Sequence, residues 1–153
     1  MSSLEAAEFA NLILVGFVFG TDVVTAAVIN PALNRLEVQM QLAAYKSIIR
    51  RFGLVMPWLL PLTLASAIVV LVKIGTTDST PFALALTGVI ALVVWELCAF
   101  ALFPANKLVR DAGPDFPADR WQALHSRWDR MHLVRTLCTV TAFVTFLLAV
   151  FLR

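Results

Sequence analysis

Between Arg120 and Arg135 the sequence reads RWQALHSRWDRMHLVR, a stretch holding both histidines of the chain, two of its four tryptophans and four of its twelve basic residues. At about 100° per residue on a helix, Trp121, His125, Trp128, His132 and Arg135 fall within about 80° of one another. Arg120, Arg127 and Arg130 point elsewhere. One stripe therefore sets two imidazoles and a guanidinium among indole rings. Histidine titrates near neutral pH, so His132, one turn from Arg135, is a candidate proton acceptor with a cation at hand. His125 and Asp129, four residues apart, have a usable ligand spacing. With His132 they form an alternative site for one transition metal, although the pattern is not HExxH. A third reading is an interfacial anchor, since Trp gathers at membrane edges and Arg at their cytoplasmic side.

Two acids stand inside apolar runs, Asp22 and Glu96. Ionisable groups at such depth are unfavourable by about 2.5–3.5 kcal/mol each and are functional candidates by default. They are expected to face the bundle interior, where they would share a proton, bind a metal with further ligands, or pair with Arg135.

The elements that position these groups follow from composition. The chain has 153 residues, 60% hydrophobic and 14% charged, against about 45–50% and 25% in a soluble domain. Four apolar runs, about 9–29, 52–74, 82–103 and 133–152, are each long enough to cross a bilayer as a helix. The expectation is an all-α integral membrane four-helix bundle forming one domain over 1–153. The N-terminal MSSLEAAEFANL carries two acids and no base, so the first run reads as a mature span, not a cleavable leader. Nine of the twelve basic residues lie between runs one and two or between runs three and four, and a tenth, Arg135, stands at the edge of run four. This places both long connections in the cytoplasm and both termini outside, in the inner or plasma membrane. Gly16 and Gly20, in GFVFG, have the spacing of a close helix approach. Pro57 and Pro61 permit a kink in the second run. Cys98 and Cys138 sit in apolar runs and read as packing residues. The net charge of +2 gives no nucleic-acid surface. No phosphate loop, Cys-x-x-Cys or Gly-x-Ser-x-Gly is present.

Runs one and three end alike, in INPALNRL (Ile29–Leu36) and FPANKLV (Phe103–Val109). Each follows an acid by eight or nine residues and precedes a basic amphipathic stretch. The order suggests two helical hairpins of the same orientation, a parallel repeat of the kind some transporters use. Asn34 and Asn106 occupy matching places in it. Four short spans enclose a narrow cavity, which is compatible with a homo-oligomer.

Taken together, four spans with Pro104 and Asn106 after the third, then Arg120–Trp121, then Trp128, His132 and Arg135 leading into the fourth, resemble the anthrone-oxygenase-like family of small membrane proteins. The turn departs from the family pattern, with Val109 where Leu is expected and Leu108 one place early. The resemblance implies an oxidoreductase of aromatic polyketide chemistry that oxidises a flat hydrophobic anthrone with O₂ and needs no cofactor. It would assign His132 as base, Arg135 to the developing oxyanion and Asn106 to orientation, with Trp121, Trp128, His125 and Asn34 around the substrate. Two other functions compete: a non-enzymatic binding, transport or scaffold protein, and a metal-dependent membrane oxidase.

Overall fold

The computed structural model describes residues 1–76, 78–113 and 115–153. Five helices are present: α1 (Ser3–Val24), α2 (Asn30–Leu33), α3 (Val38–Ile74), α4 (Ser79–Asp111) and α5 (Ala118–Phe151). A π-helical turn, Thr25–Ile29, joins α1 to α2, so the first membrane crossing runs through Ser3–Leu33 and the chain makes four in all. No strand occurs among the described residues. Apolar sequence in lipid must bond its backbone internally, and the helix is the local solution.

The ends obey local chemistry. Ser2 caps α1, its hydroxyl accepting from the Glu5 amide while the Glu5 carboxylate accepts from the Ser2 amide. Gly75, at φ 66°, closes α3 in the left-handed region. Pro117, which cannot donate a backbone N–H, stands immediately before α5. The π turn has a cause too. Pro31 has no amide to donate and its ring crowds the carbonyl four residues back, and the wider turn instead sends the Asn30 amide to the Thr25 carbonyl. Pro57 and Pro61 lie inside α3, which continues through both.

The crossings pack in chain order around a ring, α1 against α3 and α5, and α4 against α3 and α5. The direction of each is fixed by contacts at its ends. Lys73 donates to Ser3 and Arg153 pairs with Glu8 at one end. At the other, here termed the loop end, Lys46 donates to the Ala112 carbonyl and His125 meets Asn34. At about 1.5 Å per residue, the 37 residues of α3 and 34 of α5 far exceed a hydrocarbon core of about 30 Å. Both therefore project beyond it.

The interior divides into two apolar cores. One, within the membrane, gathers Val15, Val18, Ala67, Val70, Ala85, Leu92, Trp95, Ala142 and Phe146. The other, at the loop end, gathers Leu42, Tyr45, Val109 and Trp121. Polar side chains lie between them: Asp22, Thr25, Asn30, His132, Thr136 and Thr139 are all buried. Large apolar side chains such as Phe17, Trp58, Val72, Leu97, Phe100 and Leu137 are exposed on the outside, as a surface bathed in lipid chains requires. The protein is an integral membrane protein.

The glycine pattern differs from the expectation. A Cβ at Gly20 would meet nothing within 4 Å and one at Gly16 would make ordinary contact with Phe143, so GFVFG does not build a tight approach. The crowded glycine is Gly88 on α4, where a Cβ would stand 2.6 Å from the Phe146 ring.

Candidate functional site

Asp22 anchors the polar layer and is 2% exposed. Its Oδ2 accepts from the Trp95 indole at 2.7 Å, with the Thr139 hydroxyl at 3.5 Å. Its Oδ1 faces the Arg135 guanidinium at 3.6 Å, and that guanidinium also lies over the Trp95 ring, 5.3 Å from its centroid. The Asp22 backbone carbonyl, next to the π turn, accepts from His132 Nε2 at 3.3 Å and Thr136 Oγ1 at 3.4 Å. A carbonyl only accepts, so Nε2 of His132 carries the proton. Its Nδ1 then bears the lone pair, and that atom is buried without a hydrogen-bond partner. Arg135 Nε is buried and unpartnered as well.

Three residues before His132 on α5, at Asp129, a second network begins. Asp129 Oδ1 accepts from the Asn30 amide at 3.4 Å, and Tyr45 donates to Asn30 Oδ1 at 3.5 Å. Asp129 Oδ2 stands 3.6 Å from His125 Nε2, which also meets Asn34 Oδ1 at 2.6 Å. Both neighbours of that nitrogen are oxygens, so His125 likewise holds its proton on Nε2 and presents an unpartnered, buried Nδ1.

The aromatic side chains interleave with the histidines. Trp128 stacks on His132 with centroids 4.9 Å apart, and Trp121 on His125 at 5.2 Å. Tyr45 sets its ring against His125, Trp121 and Trp128. Between α3, α4 and α5 they leave a pocket of about 260 Å³ including its mouth. Tyr45, Asn106, Trp121, His125 and Trp128 line it together with Ile49, Ala105, Val109 and Leu124. Its enclosed space is about the size of one water. Asn106 Oδ1 is buried there without a partner.

The sequence stripe is thus a single inward face of α5, as its spacing implied. Its members divide between two places: His132 and Arg135 reach Asp22, whereas Trp121, His125 and Trp128 reach the pocket. Asn106 joins the pocket and makes no hydrogen bond to His132 among the described residues. Asn34 braces His125 from outside it. Glu96 departs from expectation. It is half-buried, its Oε1 has no partner, and no bond or ion pair joins it to Asp22 among the described residues. The neighbouring Trp95, on the buried stripe of α4, takes the inward position instead. His125, Asp129 and His132 do not converge, and no group of three His, Cys, Asp or Glu able to hold a metal occurs among the described residues.

Sequence reasoning passed over Tyr45, Asn30 and Trp95. Asn30 stood beside the Pro-Ala-Asn element, and Tyr45 is the only tyrosine in the chain. Those were the available signals.

A model of a family described as anthrone oxygenase matches residues 45–145, well over half of the chain. The chain belongs to the anthrone oxygenase family. The match takes in Tyr45, Trp95, Asn106, both histidines and Arg135, and begins beyond Asp22, Asn30 and Asn34. No curated protein and no solved structure shows significant similarity to the chain. Family and helices together make it an oxygenase-like protein of the membrane.

Proposed function

We propose that the protein is a cofactor-free membrane oxygenase acting on a flat hydrophobic anthrone-like aromatic with O₂. The observation that carries this reading is the unpartnered Nδ1 lone pair of His132, held in a buried position one helical turn from Arg135. An anthrone is a weak carbon acid. His132 would take the proton from the ring CH₂, and Arg135 would stabilise the negative charge that spreads onto the ring oxygen. The anion gives one electron to O₂, and recombination of the two radicals forms a carbon–oxygen bond. The peroxide takes the proton back from His132, then loses water to leave a second carbonyl. One anthrone and one O₂ thus yield one anthraquinone and one water, with no net proton.

Asn106, His125, Trp121 and Trp128 would hold the substrate, and Asn34 would hold His125. The enclosed space is smaller than three fused rings, so Trp121 and Trp128 would offer edges rather than free faces, with the body of the substrate in the pocket's mouth. The charge asymmetry of the sequence puts this mouth at the cytoplasmic edge of the inner or plasma membrane.

The test is oxygen uptake by purified protein in nanodiscs with anthrone. His132→Ala should lower the rate by about 10²–10⁴-fold, the usual contribution of a positioned base, with an unchanged helical circular-dichroism spectrum. Unaltered turnover in this variant would sink the assignment. The satisfied contacts of Asp22 favour a second reading, a non-enzymatic scaffold held by a polar layer; absence of oxygen uptake by the wild-type protein would select it.

A further inference from the structure

The 37 residues of α3 include four bases, Lys46, Arg50, Arg51 and Lys73, and no acid. The first three fall close together at the loop end. With Ala43, Ser47 and Leu54 they line a groove open to the outside of the bundle, and both polar and apolar atoms reach its surface. The protein does not match these charges itself. Arg50 and Arg51 are exposed and take part in no ion pair among the described residues. Lys46 donates to the Ala112 carbonyl at the end of α4, a neutral acceptor that leaves its other N–H groups and its charge available. The topology rule accounts for bases at this edge of the membrane. It does not require them to share one face without an acid, and elsewhere at the loop end they do not: Arg110 pairs with Asp111 and Arg120 lies over Phe116.

The same face turns apolar as it enters the membrane. At about 100° per residue, Ser47, Arg50, Arg51, Leu54, Trp58 and Leu62 lie within about 120° of one another. Leu54, Trp58 and Leu62 are 70%, 78% and 55% exposed, so this stripe is bare of protein below the bases. A face that is positive at its outer end and apolar beyond it complements a molecule with a negative head and a hydrocarbon tail. We infer that the groove is a binding site for an anionic phospholipid. Its phosphodiester lies among Lys46, Arg50 and Arg51, where a guanidinium offers paired N–H groups to two phosphate oxygens. One acyl chain descends along Leu54, Trp58 and Leu62. Leu62 stands eleven residues beyond Arg51, about 17 Å along the helix, close to the depth of one leaflet of a core about 30 Å thick. A zwitterionic lipid brings its own cation to the three bases and is disfavoured. Tyr45 and Ile49, on the same turns of α3, line the pocket, so a bound lipid braces the helix that walls it.

The test places the full chain in phosphatidylcholine nanodiscs that carry a minor fraction of either phosphatidylglycerol or phosphatidylcholine brominated on its acyl chains. Quenching of tryptophan fluorescence is read as that fraction rises. Trp95 and Trp121 are fully buried, and a Trp58→Phe variant isolates the contribution of Trp58. Brominated phosphatidylglycerol should associate with this face at least about tenfold more strongly than brominated phosphatidylcholine, since each base near the surface adds to anionic-lipid binding. Arg50→Gln with Arg51→Gln should bring the two lipids to within about twofold. Arg127→Gln with Arg130→Gln removes the same charge from exposed positions on α5 and should leave the preference intact. Equal quenching by the two lipids in the wild-type protein overturns the inference without need of any variant. An equal loss of preference in both double variants also overturns it, because the attraction would then belong to the diffuse charge of the loop end. Soluble glycerophosphoglycerol in excess should not displace the lipid; displacement would mean a phosphate site that takes no acyl chain, and the lipid assignment would fall.

Discussion

A carboxylate inside a membrane bundle persists only where other groups carry its charge, and Asp22 meets that condition through Trp95, Thr139 and Arg135. The pair with Arg135 makes each residue's substitution depend on the other. Arg135→Gln leaves the carboxylate buried and unpaired, and should destabilise the protein by about 3–5 kcal/mol. Adding Asp22→Asn removes the stranded charge, so the double variant should recover most of that loss. Thermal unfolding in one detergent measures both. On the proposed mechanism oxygen uptake should stay absent in the double variant, because the cation assigned to the oxyanion is still missing. Recovery of turnover with stability would make Arg135 a purely structural partner. At this scale the sequence was legible wherever the information lay on one helix. The stripe from Trp121 to Arg135 follows from spacing alone. Asn30, Tyr45 and Trp95 did not, because each acts across helices. The inward turn of α4 was available in principle: Ala85, Gly88, Leu92, Trp95, Leu102, Ala105 and Val109 are all buried at steps of three, four or seven. Glu96 lies one residue off that stripe, half-buried with its Oε1 buried, and does not join Asp22 among the described residues.

Elements pack by shape, and here the decisive contact is between α4 and α5 at Gly88. Phe146 and Thr145 fill the space a side chain would take, the Phe146 ring at 2.6 Å from an added Cβ and Thr145 Oγ1 at 2.9 Å. Phe146 is itself 1% exposed, so it has little room to retreat. Gly88→Ala should destabilise by about 1–3 kcal/mol, the usual penalty of overpacking, while Gly20→Ala should be nearly neutral. The double variant Gly88→Ala with Phe146→Leu should regain part of the loss, and melting temperatures in nanodiscs check all three. The GFVFG spacing was a poor guide because glycine is common in membrane helices and its spacing says nothing about what faces it. The π turn was equally hidden. Pro31 announced an irregularity, but whether a helix answers with a kink, a break or a wider turn depends on its neighbours. Here the wider turn leaves Asp22's carbonyl to His132 and Thr136, and Asn30 to Tyr45 and Asp129.

Four crossings, all-helical architecture and a membrane setting were plain from the apolar runs, since lipid leaves few other solutions. What length and hydropathy did not reveal is that α3 and α5 continue past the membrane and build a second core with α4. Hydropathy marks where a helix crosses, and amphipathic continuation beyond that point falls below its threshold. The two cores also give the molecule a direction. On the side of the polar layer away from the loop end, the interior is filled by Val15, Val18, Ala67, Val70, Ala85, Leu92, Ala142 and Phe146, each at 0–1% exposure. That apolar packing separates His132 from the end where α1 begins and α3 and α5 finish. Any proton the histidine exchanges would then pass on the loop-end side. The proposed reaction, run in a bundle built this way, would draw nothing from a gradient across the membrane and add nothing to it. In proteoliposomes turning over anthrone, a potential-sensitive dye and a trapped pH indicator should both stay silent, and a signal from either would mean that the packing opens.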